Sequence, residues 1–150
     1  EKAESQPEEI ELRSRRSMGQ VSRALKEDLL ETSQDREEMI RLISVISFKR
    51  MDQAFLWSKT KAKQTEKIQL ILDELMRILR DTVLIKVNPE ANLIINEDLT
   101  DQLKTLALQK SAPALLTMFE AVQKTKSAIK SNANSQLALE NMLINFCEAA

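Results

Sequence analysis

A chain of 150 residues carrying 22 Lys and Arg against 23 Asp and Glu, net charge −1, has the size of one ordinary domain, or of a domain plus a fragment. Its charge balance excludes a wholesale electrostatic attraction to nucleic acid or acidic membrane. With no His and the single Cys147, it lacks an ordinary zinc donor set and any internal disulfide. One Gly, three Pro and no Tyr, beside abundant Leu, Ala, Glu, Lys, Gln and Met, favour helix almost throughout. The β-branched residues fall in helical periods rather than in alternation, so the expected fold class is all-α, a helical bundle. No signal peptide and no apolar run able to span a bilayer is visible, which predicts a cytoplasmic protein without a membrane partner. The chain opens on Glu1 rather than Met and is read as a piece of a longer protein.

Residues Glu1–Glu9 are acidic, contain Pro7 and predict a frayed lead-in. A short helix over Glu8–Arg15 would turn Ile10 and Leu12 inward. Ser17 then caps a helix whose Met18, Val21, Ala24 and Leu25 share one face, with Gly19 marking a turn or a close backbone approach. Ser33 or Asp35 caps the next helix, with Met39, Leu42, Ile43, Ile46 and Phe48 as its buried stripe. A further helix over Met51–Trp57 is expected to anchor through Phe55, Leu56 and Trp57. The stretch Lys59-Thr60-Lys61-Ala62-Lys63 is the most basic in the chain. Without interleaved aromatics or a Gly-rich loop it reads as a solvated helix end, leaving open a weak or indirect contact with DNA.

Thr65 opens the longest predicted helix, running to about Val87 with Ile68, Ile71, Leu72, Leu75, Ile78, Leu79 and Val83 inward. Glu74 with Arg77, and Arg77 with Asp81, are spaced as surface ion pairs. Asn88-Pro89 ends the helix, because Pro disfavours helix at the residue before it. Leu93, Ile94 and Ile95 form an apolar knot expected to tuck onto the bundle. Asn96 or Asp98 caps a helix carrying Leu99, Leu103, Leu106 and Ala107. Ser111 caps another, with Pro113 in its first turn and a stripe of Leu115, Leu116, Phe119, Val122 and Ile129.

The last helix follows the turn Ser131-Asn132-Ala133-Asn134-Ser135, with Asn134 or Ser135 as N-cap. Leu139, Met142, Leu143 and Phe146 face inward, but Leu137, Ala138 and Leu139 span more arc than one seam fills. That breadth predicts a helix packed on more than one side, one of them against the long helix from Thr65. Nothing along the chain converges as catalytic machinery. No Ser–His or Cys–His pair and no phosphate-cradling loop appears, so no enzyme activity, cofactor or metal is expected.

Four pieces taken in order resemble one family: Ile78-Leu79-Arg80-Asp81-Thr82-Val83-Leu84-Ile85-Lys86, then Leu93-Ile94-Ile95-Asn96-Glu97-Asp98-Leu99, then the helix end at Lys126–Asn132, then Asn132-Ala133-Asn134-Ser135-Gln136-Leu137-Ala138-Leu139-Glu140-Asn141-Met142-Leu143-Ile144. They resemble the C-terminal part of the delta-prime subunit of the bacterial DNA polymerase III clamp loader, in register over about residues 64–146. The family pattern has a Trp-Leu-Arg-Asp-Leu helix end, an Ile-Asn-Pro-Asp-Leu loop and an Asn-Pro-Gln-Leu-Ala-Leu-Glu final helix. Ile78 stands where Trp is common, Glu97 where Pro is common, and Ser135 where Pro is usual. Upstream, Ser17–Leu25 resembles the last helix of the small AAA+ lid domain. Nucleotide-hydrolysing relatives offer an Arg near the position of Ser22; here Ser22 holds it and Arg23 follows, which favours delta-prime over the tau/gamma ATPase subunit.

The resemblance implies the end of an AAA+ lid at residues 1–30 and a helical collar, or oligomerisation, domain at 34–150. It implies other clamp-loader subunits as partners, in a complex that places the sliding clamp on primed DNA. Asn134, Gln136, Leu137, Ala138, Glu140 and Asn141 are the candidate subunit-interface residues. The alternatives are a fragment of the tau/gamma subunit, or a stand-alone helical adaptor that binds a partner peptide in a groove.

Overall fold

The computed structural model describes residues 33–90 and 93–150. The chain divides into two compact units, residues 1–35 and 36–150, and the second carries the helices set out below except for residues 33–35 at the start of the first. The helices expected over Glu8–Arg15 and Ser17–Leu25, the turn at Gly19 and the lid remnant at 1–30 lie outside the described residues. Among the described residues every regular element is helical, so the bundle is all-α as predicted.

Helix α1 occupies residues 33–45, and a 3-10 turn over Phe48–Arg50 leads into α2, Met51–Ala62. Helix α3 spans Ile68–Val87, a second 3-10 turn spans Glu97–Leu99, and α4 follows at Thr100–Gln109. Helices α5, Ala112–Lys130, and α6, Ser135–Ala149, complete the bundle. In packing order α4 lies on α3, α3 on α5, α5 on α6 and α6 on α2. Among helices α2 to α6, the main partners of α6 are therefore α5 and α2. The expected seat on the long helix from Thr65 is taken by α5, which lies between them.

The predicted stripes form most of one continuous core. Ile71, Leu72, Leu75, Ile78 and Leu79 of α3 meet Leu103 and Leu106 of α4 and Leu115, Met118 and Val122 of α5 in it. Leu139, Met142, Leu143 and Phe146 of α6 and Met39 and Ile43 of α1 close it, all sealed from solvent. Each such side chain contributes about 1.5–3 kcal/mol relative to exposure. Ser111 caps α5 as expected, its Oγ accepting from the Ala114 N–H at 3.2 Å. Pro113 lies in the first turn, where a missing N–H costs nothing.

Several expectations fail for local reasons. Helix α1 is already running at residue 33, so neither Ser33 nor Asp35 is its N-cap. It ends at 45, and the turn breaks the period that placed Phe48 inward; Phe48 is exposed. The buried face of α2 is Ala54, Trp57, Ser58 and Lys61, at helical spacing, which leaves Leu56 outward and Phe55 at the margin. Lys61 leaves the basic run for the interior, where it pairs with Glu38 at 2.9 Å. Helix α3 begins at Ile68 rather than Thr65, because the chain closes tight turns from Gln64 N–H to Lys61 O and from Lys67 N–H to Gln64 O. Leu116 is exposed because Leu115, Met118 and Val122 fill the inner face of α5.

The loop before α4 departs furthest from expectation. Leu93 and Ile95 are exposed, and only Ile94 of the apolar knot packs on the core. What holds the loop is polar. Asp81 is fully buried on α3 and accepts from the backbone N–H groups of Ile95 (3.1 Å) and Asn96 (2.9 Å), and from Asn96 Nδ2 (3.1 Å). Arg80 Nη1 donates to its other oxygen at 3.0 Å. Asp81 thus has no share in the surface pair predicted with Arg77, which pairs with Glu74 alone, at 3.1 Å. Arg36 of α1 adds a second clasp, donating to Asn96 Oδ1 at 3.0 Å and in bidentate fashion to Asp98 at 3.1 and 2.7 Å. Leu99 holds the N-cap position of α4 and Asn96 that of the 3-10 turn before it, neither with a side-chain cap bond, so neither Asn96 nor Asp98 caps the helix as expected.

Removing the carboxylate leaves two loop N–H groups and the Asn96 amide without an acceptor. Asp81→Ala is expected to cost about 3–5 kcal/mol, against about 0.5 kcal/mol or less for Arg77→Ala, by urea denaturation followed by circular dichroism. Equal effects from the two changes would show that the buried carboxylate is not the anchor.

Candidate protein-interaction surface

The residues singled out in the last helix occupy its first two turns. Helix α5 ends at Lys130, and the chain reverses through Asn132, whose φ of 64° is left-handed. Asn is among the few residues that take this conformation cheaply, and the Ala133 N–H closes back on Ala128 O at 3.0 Å, as in a Schellman ending. Asn134 is then the N-cap, its Oδ1 accepting from the Leu137 N–H at 3.0 Å. Ser135, the other candidate cap, is the first helical residue.

From that start the helical period sorts the side chains. Leu139, Met142, Leu143 and Phe146 go inside. Leu137, 64 % exposed, points away from them together with the exposed Asn141, while Ala138 and Glu140 are half-buried at the edges. Gln136 Nε2 donates to Glu140 Oε1 at 3.0 Å, one turn on, which holds both side chains along the helix surface. Of the six candidates, Asn134, Gln136, Leu137 and Asn141 are exposed and Ala138 and Glu140 half-buried, an aliphatic side chain with amide and carboxylate neighbours on the first two turns of α6. The breadth of Leu137-Ala138-Leu139 is real, but it divides into one buried and one exposed leucine.

At the other end of α6, Cys147 is buried against α2, its Sγ 3.7 Å from Met51 Sδ. Burial pushes its thiol above the ordinary range; Lys110 nearby pulls it partly back, and Glu148 adds to the rise. Burial also lowers the Lys110 ammonium, opposed by Cys147. Among the described residues no three His, Cys, Asp or Glu side chains are grouped to hold a metal ion, and no helix is long and apolar enough to cross a membrane.

Sequence reasoning did not anticipate two features. One is the Asp81 anchor, whose signal was a carboxylate three residues after Ile78, on the edge of the apolar stripe. The other is a cleft of about 340 Å³ between α1 and α2, lined by Glu38, Arg41, Leu42, Val45, Gln53, Leu56, Trp57 and Thr60. The helical period of α1 is legible in the sequence, but neither the buried face of α2 nor the open seam between the two helices is.

A family model described as DNA polymerase III, delta subunit, C terminal matches residues 31–148, the greater part of the chain. The chain belongs to that family. No curated protein and no solved structure matches it. The bundle is thus a C-terminal domain of a DNA polymerase III delta-type subunit, and its motif pieces acquire physical meaning. Arg80-Asp81 and Ile95-Asn96, fourteen and fifteen residues beyond Asp81, are the two halves of the buried carboxylate anchor. Ile78, where the pattern favours Trp, is fully buried. Glu97 and Ser135, where the pattern favours Pro, are each the first residue of a helical turn, the position at which a Pro forfeits no hydrogen bond.

Two measurements check this surface. In the isolated chain Leu137→Ser should change stability by no more than about 0.5 kcal/mol, whereas Asn134→Ala should cost about 1 kcal/mol through the lost cap, both by urea denaturation. For Cys147, the folded thiol holds its proton more tightly than the unfolded one. That contribution to stability is whole below the ordinary thiol range and is lost as pH rises through the elevated value. Labelling by a thiol reagent at pH 8 should accordingly run about tenfold or more slower in the folded protein than in denaturant. Equal rates would contradict the buried placement.

Proposed function

We propose that residues 34–150 are the collar, or oligomerisation, domain of a clamp-loader delta-prime subunit, preceded at 1–30 by the end of its AAA+ lid. The domain acts by binding rather than by catalysis. It associates with the other subunits of a cytoplasmic complex that loads the sliding clamp onto primed DNA in replication. The observation that carries this reading is the family match over 31–148. The ordered set Arg80-Asp81, Ile95-Asn96-Glu97-Asp98-Leu99 and Asn134-Ser135-Gln136-Leu137 supports the delta-prime form within that family.

The first two turns of α6 are the proposed contact with a neighbouring subunit. An exposed leucine ringed by Asn134, Gln136, Glu140 and Asn141 has the composition of a mixed interface, an aliphatic anchor within a polar rim. Mixing the purified chain with the other clamp-loader subunits should yield a stoichiometric complex by size-exclusion chromatography with light scattering at about 10 μM. Leu137→Glu should weaken assembly by about tenfold or more, while Leu108→Glu, on the exposed face of α4, should leave it unchanged. Absence of any complex would refute the association role. A complex indifferent to Leu137→Glu would remove α6 from the interface.

A further inference from the structure

The cleft between α1 and α2 is built from different elements than the α6 surface and has a different character. Its floor and walls are aliphatic and aromatic, Leu42 and Val45 from α1 facing Leu56 and Trp57 from α2. Leu56 is 66 % exposed, so a large apolar side chain stands at the rim with nothing over it among the described residues. Trp57 is buried, yet its indole Nε1 has no hydrogen-bond acceptor there. A buried donor left unmade costs about 1–3 kcal/mol, an unusual deficit for a side chain lining an open cleft.

Charge singles out the same hairpin. Over residues 36–63, Arg36, Arg41, Lys49, Arg50, Lys59, Lys61 and Lys63 stand against Glu37, Glu38 and Asp52, a net of +4 in a chain whose total is −1. Arg36 is engaged with Asp98, and of the two charged residues that line the cleft Glu38 is paired with Lys61 while Arg41 lies exposed. The cleft follows α1 from Glu38 to Val45, about 10 Å along the axis, the reach of two turns of a docked helix.

We propose that this cleft binds an acidic amphipathic segment of another protein. An aliphatic side chain seats between Val45 and Leu56, and a carboxylate meets Arg41. The pairing is a helix-in-groove contact in which apolar anchors supply affinity and the cationic rim selects the sign of the partner. It is independent of the α6 surface and of whether the chain assembles through it.

Trp57 is the sole tryptophan, so its emission reports on the cleft directly. The probe is a Trp-free helical peptide of about 14 residues, with Leu at i, i+3, i+4 and i+7 and Glu at the remaining positions, titrated into the full chain. The expected result is a saturable shift in Trp57 emission with Kd of about 10–100 μM. Leu56→Asp should weaken it by about tenfold or more, and Arg41→Glu by several-fold with a reduced salt dependence. Leu56 is exposed and Arg41 lies on the rim, so both variants should keep the wild-type circular dichroism. Leu137→Glu should leave peptide binding unchanged, which separates this test from the assembly test. No saturable signal up to about 1 mM overturns the proposal. Equal binding of the same peptide with Lys in place of Glu, or binding untouched by Leu56→Asp, also does so. Displacement of the probe by single-stranded oligonucleotide with no dependence on Leu56 would make the hairpin a phosphate-binding surface instead. Self-association of the chain that competes with the peptide would assign the cleft to a second copy.

Discussion

The fold depends on one carboxylate. Asp81 sits inside an apolar helix face and spends its acceptor capacity on a loop that has little hydrophobic reason to stay, since Leu93 and Ile95 point outward. A charge in that position is costly unless its hydrogen bonds are made, and here they are made by two backbone N–H groups, an amide and Arg80. The consequence reaches beyond the loop. Asn96, oriented by Asp81, presents its own oxygen to Arg36, which also grips Asp98, so α1, α3 and the approach to α4 are tied in one chain of charge-assisted bonds. With the loop pinned, Leu99 enters the core and α4 follows in register with Leu103 and Leu106 beneath α3.

Helix ends do comparable work at the opposite side of α5. The left-handed Asn132 and the Asn134 cap bring α6 off α5 within four residues, and the first residue of α6 then determines which leucine is sealed and which is offered. Shift that start by one residue and Leu137 would move toward the core while Leu139 turned toward its edge. An exposed leucine at Leu137 is thus a product of cap chemistry as much as of side-chain hydrophobicity.

The two exposed apolar features differ in kind. Around Leu137 the neighbours are amides and a carboxylate. The α1–α2 cleft lies on a hairpin with a surplus of cations and is walled by Leu42, Val45, Leu56 and Trp57. The two proposed contacts, with a neighbouring subunit and with a peptide, make different demands, broad and flat in one case, narrow and charge-selective in the other. A domain that holds both could bind a neighbouring subunit and a short segment at once without competition.

What the sequence by itself determined is substantial and specific. Periodicity located the stripes of α3, α4 and α6, because a helix facing one core must repeat its apolar residues near every 3.6 positions. Ser111 and Asn134 were legible as caps, because capping is local chemistry between a side chain and the next turn. The resemblance pieces pointed to a DNA polymerase III clamp-loader subunit, and the family match agrees at the level of a delta-type subunit. Only the tertiary structure decided which face of α2 is buried, since Phe55, Leu56 and Trp57 are adjacent and hydrophobicity cannot choose among them. It also decided that α6 lies on α5 and α2, and that Asp81 looks inward. A carboxylate's surroundings are made of residues remote in sequence, and no local pattern states whether backbone N–H groups fourteen and fifteen residues away will arrive to satisfy it.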